Sequence, residues 1–181
     1  MLIVEVLLII FVFIAALGFI GLLYYNKLEE LKIYINEAEA NIDNSLRTKF
    51  DIMNRLIKVI TGNIKIDEDM FEEFVKIRGR KLSNFDMDRK LTDIEGTFFD
   101  LPVTHKDIKK VDTYNKMLKE LKVNEVKLLA GKDYYNTTIT DYNKLVRKFP
   151  SNVVAKFTNH VYLTFFDGKD MEDDVYNDFK I

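Results

Sequence analysis

The chain has 181 residues, enough for one domain and a short appendage. Its 27 Lys and Arg nearly balance its 29 Asp and Glu, so it lacks the basic excess that is typical of nucleic-acid-binding proteins. It contains no cysteine, which excludes disulfides, thiol catalysis and thiolate metal sites.

A long apolar stretch opens the chain, and Glu5 is the only charged side chain in residues 2–25. A helix needs about 20 apolar residues to cross the hydrocarbon core of a bilayer. Tyr24 and Tyr25 end the stretch, and aromatic rings favour the headgroup level. We therefore predict that residues 1–25 form a transmembrane anchor that holds the protein in a cell membrane. Residues 2–25 are the part predicted to contact the lipid bilayer.

A cleaved signal peptide is the alternative interpretation of this stretch. Against it, no basic region precedes the apolar run, and the run is longer than the apolar core of a typical signal peptide. Orientation follows from the basic residues: Lys27 and Lys32 follow the stretch, and none precedes it. The positive-inside rule therefore places the remaining chain on the cytoplasmic side.

The next segment has the period of an α-helix, with a mean step close to 3.6 between apolar residues. They are Leu28, Leu31, Ile35, Ala38, Ile42, Leu46, Phe50, Met53, Ile57, Ile60 and Ile64. No proline interrupts the run, so the anchor helix is predicted to continue into this one and to stop at Gly62 and Asn63.

The middle of the chain is less regular. A second helix is predicted to start at a cap formed by Asp67 or Asp69 and to extend through Phe85, with a weaker continuation to Ile94. The segment from Gly96 to Pro102 is predicted to be a loop, after which Thr104 would cap a third long helix.

The third helix carries two columns of residues at a seven-residue spacing, the geometry of a bundle core. The first column is Tyr114, Leu121, Leu128, Tyr135, Tyr142 and Phe149. The second is Val111, Leu118, Glu125, Lys132, Ile139 and Val146. Phe149-Pro150 is predicted to end the helix, and a short amphipathic segment over 153–166 follows.

These patterns predict an all-α fold: an N-terminal transmembrane helix that continues into an up-down bundle of three long helices plus a short C-terminal helix. The domain boundaries are predicted to be 1–25 for the anchor, 26–166 for the bundle and 167–181 for an acidic C-terminal tail. No alternating pattern of useful length indicates a sheet.

On these helices the sequence resembles the LemA family. The motifs that carry the resemblance are Tyr25-Asn26-Lys27-Leu28, Ile42-Asp43, Leu46, Phe50-Asp51, Leu56, Glu125, Tyr135-Asn136, Ile139, Asp141, Tyr142-Asn143 and Phe149-Pro150. The resemblance implies an N-terminally anchored helical bundle. It implies no catalytic residue, because the family has no established biochemical activity.

Glu125 and Lys132 interrupt a core column and form a candidate polar layer with Asp51. An inward charge needs a partner, and Arg47, Lys49 or Asp51 could supply one. The favoured interpretation is a polar layer that fixes helix register. A ligand or partner site and plain exposure at the bundle rim are the alternatives.

Tyr114, Tyr135 and Tyr142 share one column and form a candidate interaction stripe. A tyrosine can bury its ring while its hydroxyl reaches a polar group, so packing is the favoured interpretation and recognition of a partner helix the minority one. His105 and His160 are isolated, so we expect no metal and no cofactor.

No motif of a triad, a zinc protease or a phosphate loop occurs, so we expect no enzymatic activity. The favoured hypothesis is a membrane-anchored scaffold that binds a protein of unknown identity, with a second copy of the chain as a further candidate and nucleic acid excluded. The alternatives are membrane remodelling through the amphipathic face of 153–166, or a small-molecule binder or enzyme that uses the Glu125 and Lys132 layer.

Overall fold

The structure is a computed structural model that describes residues 2–66, 68–77 and 82–166. Within these residues every regular element is helical, which confirms the predicted all-α bundle with one long N-terminal apolar helix. The α-helices are α1 (Leu2–Asn63), α2 (Glu72–Ile77), α3 (Asn84–Thr104), α4 (Asp112–Arg147) and α5 (Ser151–Phe157). Two 3₁₀ helices cover Glu68–Phe71 and Lys106–Lys110.

Helix α1 is continuous from the apolar stretch into the segment that follows it, and it ends at Asn63, where the stop was predicted. Its most apolar window has a mean hydropathy of 3.1, and none of that window is buried within the protein. The helix is therefore long and apolar enough to cross a membrane.

The predicted second helix is wrong in its extent. Helix α2 ends at Ile77, and a separate helix, α3, begins at Asn84. Ser83 caps α3, because its Oγ accepts a hydrogen bond from the backbone N–H of Asp86 at 3.1 Å. Residues 78–81 and the proposed cap at Asp67 lie outside the described residues.

The loop predicted from Gly96 to Pro102 is also wrong, since α3 passes through both residues. Pro102 has no N–H to donate to the carbonyl of Phe98, four residues earlier. The hydroxyl of Tyr114 donates to that carbonyl instead, so the proline leaves no unpaired acceptor in the core. Thr104 is accordingly the last residue of α3 and does not cap the next long helix, α4, which begins at Asp112.

The described chain divides into two compact units. In the unit made of residues 38–133 and Phe166, α4 runs antiparallel to α1: Asn124 donates to the carbonyl of Ser45, and Arg55 pairs with Glu120. Helix α4 is antiparallel to α3 as well, since Asp88 contacts Lys132 while Phe98, later in α3, contacts Tyr114, earlier in α4. The hydrophobic core of this unit includes Met53, Leu56, Ile60, Phe71, Phe74, Leu91, Phe98, Leu101, Ile108, Tyr114 and Leu121.

The other unit consists of residues 2–37 and 134–165. Its last residues return along the end of α4, where the side-chain amide of Asn143 donates to the carbonyl of Leu163 and accepts from its N–H. His160 is buried, with its ring edge-on to that of Tyr25 at 6.1 Å and its Nε2 3.1 Å from Glu29 Oε1. These contacts fix the returning segment on α1 and α4.

The two predicted columns of α4 are only partly correct. Five members of the first column are buried, but Phe149 lies beyond the end of α4 and is 82% exposed. In the second column only Ile139 is fully buried, and the other members are half-buried. The inward face of α4 is therefore narrower than the sequence suggested. The predicted acidic tail, 167–181, lies outside the described residues.

Candidate functional site

The most unusual interior group is the side chain of Lys49, which is completely buried. Helix α1 carries it on its inward face, between Leu46 and Met53, at positions three and four residues away. A buried ammonium is unfavourable unless it is paired and hydrogen-bonded. The neighbouring helices must therefore supply acceptors.

Three acceptors surround the Lys49 ammonium. Its Nζ lies 2.6 Å from Glu95 Oε2 and 3.1 Å from Thr92 Oγ1, both on α3, and 2.9 Å from Glu125 Oε2 on α4. An ammonium has three donors, and each has a partner here. We call these four residues the Lys49 cluster, which links α1, α3 and α4.

The electrostatics of the cluster favour the charged form of the lysine. Burial lowers the pKa of Lys49, but the hydrogen bonds and charges of Glu95 and Glu125 outweigh it, so the pKa lies above the usual 10.5. The ammonium therefore stays protonated at neutral pH, which is the wrong state for a nucleophile or a general base.

A second interior ion pair joins α3 to α4. Lys132 Nζ lies 2.7 Å from Asp88 Oδ2 and 5.7 Å from the centre of the Phe166 ring. The other oxygen of Asp88, Oδ1, is buried without a hydrogen-bond partner among the described residues. Both side chains are largely buried, so this pair is part of the interior.

The structure places the three predicted members of the polar layer differently. Glu125 and Lys132 both turn inward, but each binds its own partner. Asp51 is exposed and lies outside the layer. Of the two basic residues considered as partners on the first helix, Lys49 pairs with Glu125, while Arg47 pairs with Asp43 at the surface.

The sequence analysis missed Asp88 and Glu95 as members of the layer, and considered Lys49 only as one option. Their signal was present: Asp88, Leu91, Glu95 and Phe98 follow one another at helical core spacing, and all are buried. It was overlooked because Gly96 and Pro102 indicated a loop.

The tyrosines of the candidate stripe, Tyr114, Tyr135 and Tyr142, are all buried. Burial raises the pKa of Tyr114 to about 12. In Tyr142 burial, and then the negative charge of Glu29, raise the pKa. Side chains this buried favour the packing interpretation, because they offer no surface to a partner helix.

An exposed apolar surface lies instead on α4, in the unit that holds the Lys49 cluster. We call it the α4 apolar face; its members are Val123, Val126, Leu129 and Ala130. Beside it a groove of about 560 Å³ opens between α1 and α4. Its wall includes Ile52 and Val123, and charged side chains border it: the lysines Lys116, Lys119 and Lys127, and Arg55 in its ion pair with Glu120.

The described residues contain no group of three or more His, Asp or Glu side chains placed to hold a metal ion. Within the Lys49 cluster the ammonium already occupies the position between the two carboxylates. The cluster's chemistry is therefore that of a closed ion-pair network.

Comparison with known families decides the identity of the chain. The sequence model of the LemA family matches residues 38–179, most of the chain. The protein belongs to the LemA family. No curated protein sequence matches it.

The LemA match encloses the Lys49 cluster, the Asp88–Lys132 pair and the α4 apolar face, and it leaves the apolar stretch of residues 2–25 outside. It also includes Asn143, which the sequence analysis noted only as part of the Tyr142-Asn143 motif. In this LemA protein that asparagine holds the returning segment at Leu163.

Proposed function

We propose that this LemA-family protein is a membrane-anchored helical module that binds a protein partner and is not an enzyme. Residues 2–25 of α1 hold it in a cell membrane, since they form an apolar helix long enough to span a bilayer. The bundle faces the cytoplasm, because Lys27 and Lys32 directly follow that stretch.

The α4 apolar face is the observation that carries the proposal. Charged residues make up 31% of this chain, yet Val123, Val126, Leu129 and Ala130 form a contiguous exposed apolar surface. A surface of this kind marks a protein interface when polar residues surround it. Three lysines at the border of the adjacent groove, Lys116, Lys119 and Lys127, suit an amphipathic helix whose apolar face is flanked by Asp and Glu.

Site-specific photocrosslinking in the native membrane tests this proposal. A photoreactive amino acid at Val126 should crosslink to a discrete protein, whereas the same group at Lys58, an exposed polar position of α1, should not. Crosslinks to a second copy of the chain would show that the partner is the protein itself and that it forms a homo-oligomer through this face. Equal labelling from both positions, or none from Val126, would contradict the proposal.

The closed Lys49 cluster supports this function over a small-molecule binder or enzyme at the Glu125 and Lys132 layer. Such a site needs polar groups left free for a ligand, but the ammonium of Lys49 is already bound to Thr92, Glu95 and Glu125, and that of Lys132 to Asp88.

Membrane remodelling is a second candidate, favoured by the exposed Phe149, which precedes α5, and the exposed Phe157, the last residue of α5. Full-length protein reconstituted into vesicles would then change their shape in electron micrographs. Vesicles of unchanged shape at high protein density would leave partner binding as the function.

A further inference from the structure

The segment 142–165, which we call the basic segment, has an unusual charge distribution. It contains four basic residues and no Asp or Glu, although the whole chain is nearly neutral. The four are Lys144, Arg147, Lys148 and Lys156. Lys144 pairs with Asp141, and Arg147 lies over the ring of Tyr162, while Lys148 and Lys156 are exposed.

The same segment exposes large apolar side chains. Phe149, before α5, and Phe157, its last residue, are 82% and 84% exposed. Val153 lies four residues before Phe157 on the same face of α5, and Val161 follows in the returning segment; both are exposed. Exposed rings next to exposed lysines are typical of a surface that meets a lipid interface.

The contacts of His160 place the basic segment beside the end of the apolar stretch. The His160 ring is 6.1 Å from that of Tyr25, the last residue of the stretch, and its Nε2 is 3.1 Å from Glu29. Arg147 and Asn143, at the end of α4, contact Tyr162 and Leu163 of the same returning segment. Aromatic and basic side chains of one unit therefore lie where a helix spanning residues 2–25 would leave the bilayer.

We propose that the basic segment is a second membrane contact: Phe149 and Phe157 insert into the interface of the membrane that residues 2–25 span, and Lys148 and Lys156 bind anionic phospholipid headgroups. This inference rests on the proposed anchoring by residues 2–25. It extends that proposal by naming a second lipid-binding surface and the lipid charge that this surface prefers.

Two physical effects act together at this surface. Aromatic rings are favoured at the headgroup level, where their apolar bodies leave water. Lysines near an anionic leaflet gain electrostatic attraction that falls off within a Debye length. Beside Lys156, a groove of about 430 Å³ that is also lined by Asn152, Asn159 and His160 gives a headgroup room between α4 and α5.

The absence of cysteine makes a site-directed spin-label experiment direct, because each introduced cysteine is unique. Full-length protein is reconstituted into vesicles of phosphatidylcholine alone and of phosphatidylcholine mixed equally with phosphatidylglycerol. Nitroxide labels are placed by Phe157→Cys and by Val161→Cys, the second of which keeps both phenylalanines. Collision with oxygen reports the lipid phase, and collision with a water-soluble nickel chelate reports the aqueous phase.

Two further labels calibrate the result. Leu17→Cys lies within the apolar stretch and reports on the anchor itself. Glu37→Cys is exposed on α1, 12 residues beyond Tyr25 and so about 18 Å further along the helix axis, and reports water.

Labels at positions 157 and 161 should collide more with oxygen than with the nickel chelate, as the label at position 17 does and the label at position 37 does not.

The second contact would be overturned, and the anchor left intact, if the label at position 17 reports lipid while those at 157 and 161 report water, as the label at 37 does. A water signal at Leu17 would overturn the anchor and the inference with it. Strong spin–spin coupling between Phe157 labels, with protection from both reagents, would assign the surface to a second copy of the chain and also overturn it.

Lysine variants test the headgroup preference. The label at Val161 should lie deeper in the phosphatidylglycerol mixture than in phosphatidylcholine alone, and Lys148→Gln with Lys156→Gln should remove that difference. Lys58→Gln, which removes an exposed lysine of the other unit, should preserve it. A difference that survives the double substitution would overturn the role of the two lysines.

Discussion

Lys49 shows how a single residue can fix the arrangement of three helices. Its ammonium is satisfied only when Thr92 and Glu95 of α3 and Glu125 of α4 all reach it. A shift of either helix by one turn would strand a buried charge, which costs several kcal/mol. The polar layer thus disfavours alternative registers that an apolar core alone would tolerate.

We predict that Lys49→Met destabilises the protein by about 3–5 kcal/mol, because it leaves two carboxylates uncompensated in the interior. Glu125→Gln should cost less, about 1.5–3 kcal/mol, since Glu95 still neutralises the lysine. Chemical unfolding of the full chain in mild detergent, followed by circular dichroism, measures both. Glu120→Gln, which breaks the exposed pair with Arg55, is the control and should cost less than about 1 kcal/mol.

Lys49 is expected to carry the larger cost because two carboxylates share its single ammonium, whereas the Glu125 side chain keeps 25% of its surface exposed. Equal losses for Lys49→Met and Glu125→Gln would contradict a shared network.

The raised pKa values of Lys49 and Tyr114 predict a loss of stability at alkaline pH. Lys49 binds its proton more tightly when folded, so its contribution is complete below pH 10.5 and is lost as pH rises through the higher folded pKa. Tyr114 ionises near 10.0 when unfolded but near 12 when folded, so stability also falls between these values. Melting temperatures should therefore fall above about pH 10, and less steeply in Tyr114→Phe.

Helix α3 shows how one element can depend on another for its continuity. A proline inside a helix removes a hydrogen bond and usually kinks or ends it. Pro102 leaves the carbonyl of Phe98 without its usual backbone donor. The hydroxyl of Tyr114, on α4, donates a hydrogen bond to that carbonyl instead. A side chain of another helix, α4, thus supplies the hydrogen bond that the last turns of α3 lack.

We predict that Tyr114→Phe costs about 1–3 kcal/mol, because it leaves the buried Phe98 carbonyl without a donor. In a Pro102→Ala background the new N–H at residue 102 can serve that carbonyl, so the same substitution should cost less. A double-mutant cycle from unfolding measurements gives the coupling between the two positions. Additive losses would show that the hydroxyl does not compensate for the proline.

At the scale of the whole molecule, the chain combines an unburied apolar stretch with a charged helical bundle. Helix α1 runs from Leu2 to Asn63, and α1 and α4 each contribute residues to both compact units. The basic residues Lys27, Lys32, Lys148 and Lys156 lie in the unit that contains the stretch. With residues 2–25 across a membrane, as proposed, the positive-inside rule predicts that the bundle lies in the cytoplasm.

We predict that residues 2–25 remain on the mature protein and that the bundle is protected from protease added to intact cells. Alkaline carbonate should fail to extract the protein, and the intact mass should include the apolar stretch. Permeabilised cells serve as the control, in which the bundle becomes accessible. Digestion in intact cells would reverse the orientation, and a mature chain that begins near residue 19 would identify a signal peptide.

The sequence by itself determined the helical architecture, the apolar stretch, the end of α1 at Asn63 and the buried tyrosine column of α4. These features are local, because helical period, stop signals and hydropathy are set by residues within a few turns of one another. Only the tertiary structure decided that α3 passes through Pro102, that Phe149 is exposed and that Lys49 and Glu95 belong to the polar layer. The partners concerned are far apart in sequence, 76 residues in the case of Lys49 and Glu125. In this chain the buried charge of Lys49 and the internal Pro102 each depend on a group distant in sequence for the hydrogen bond that burial requires.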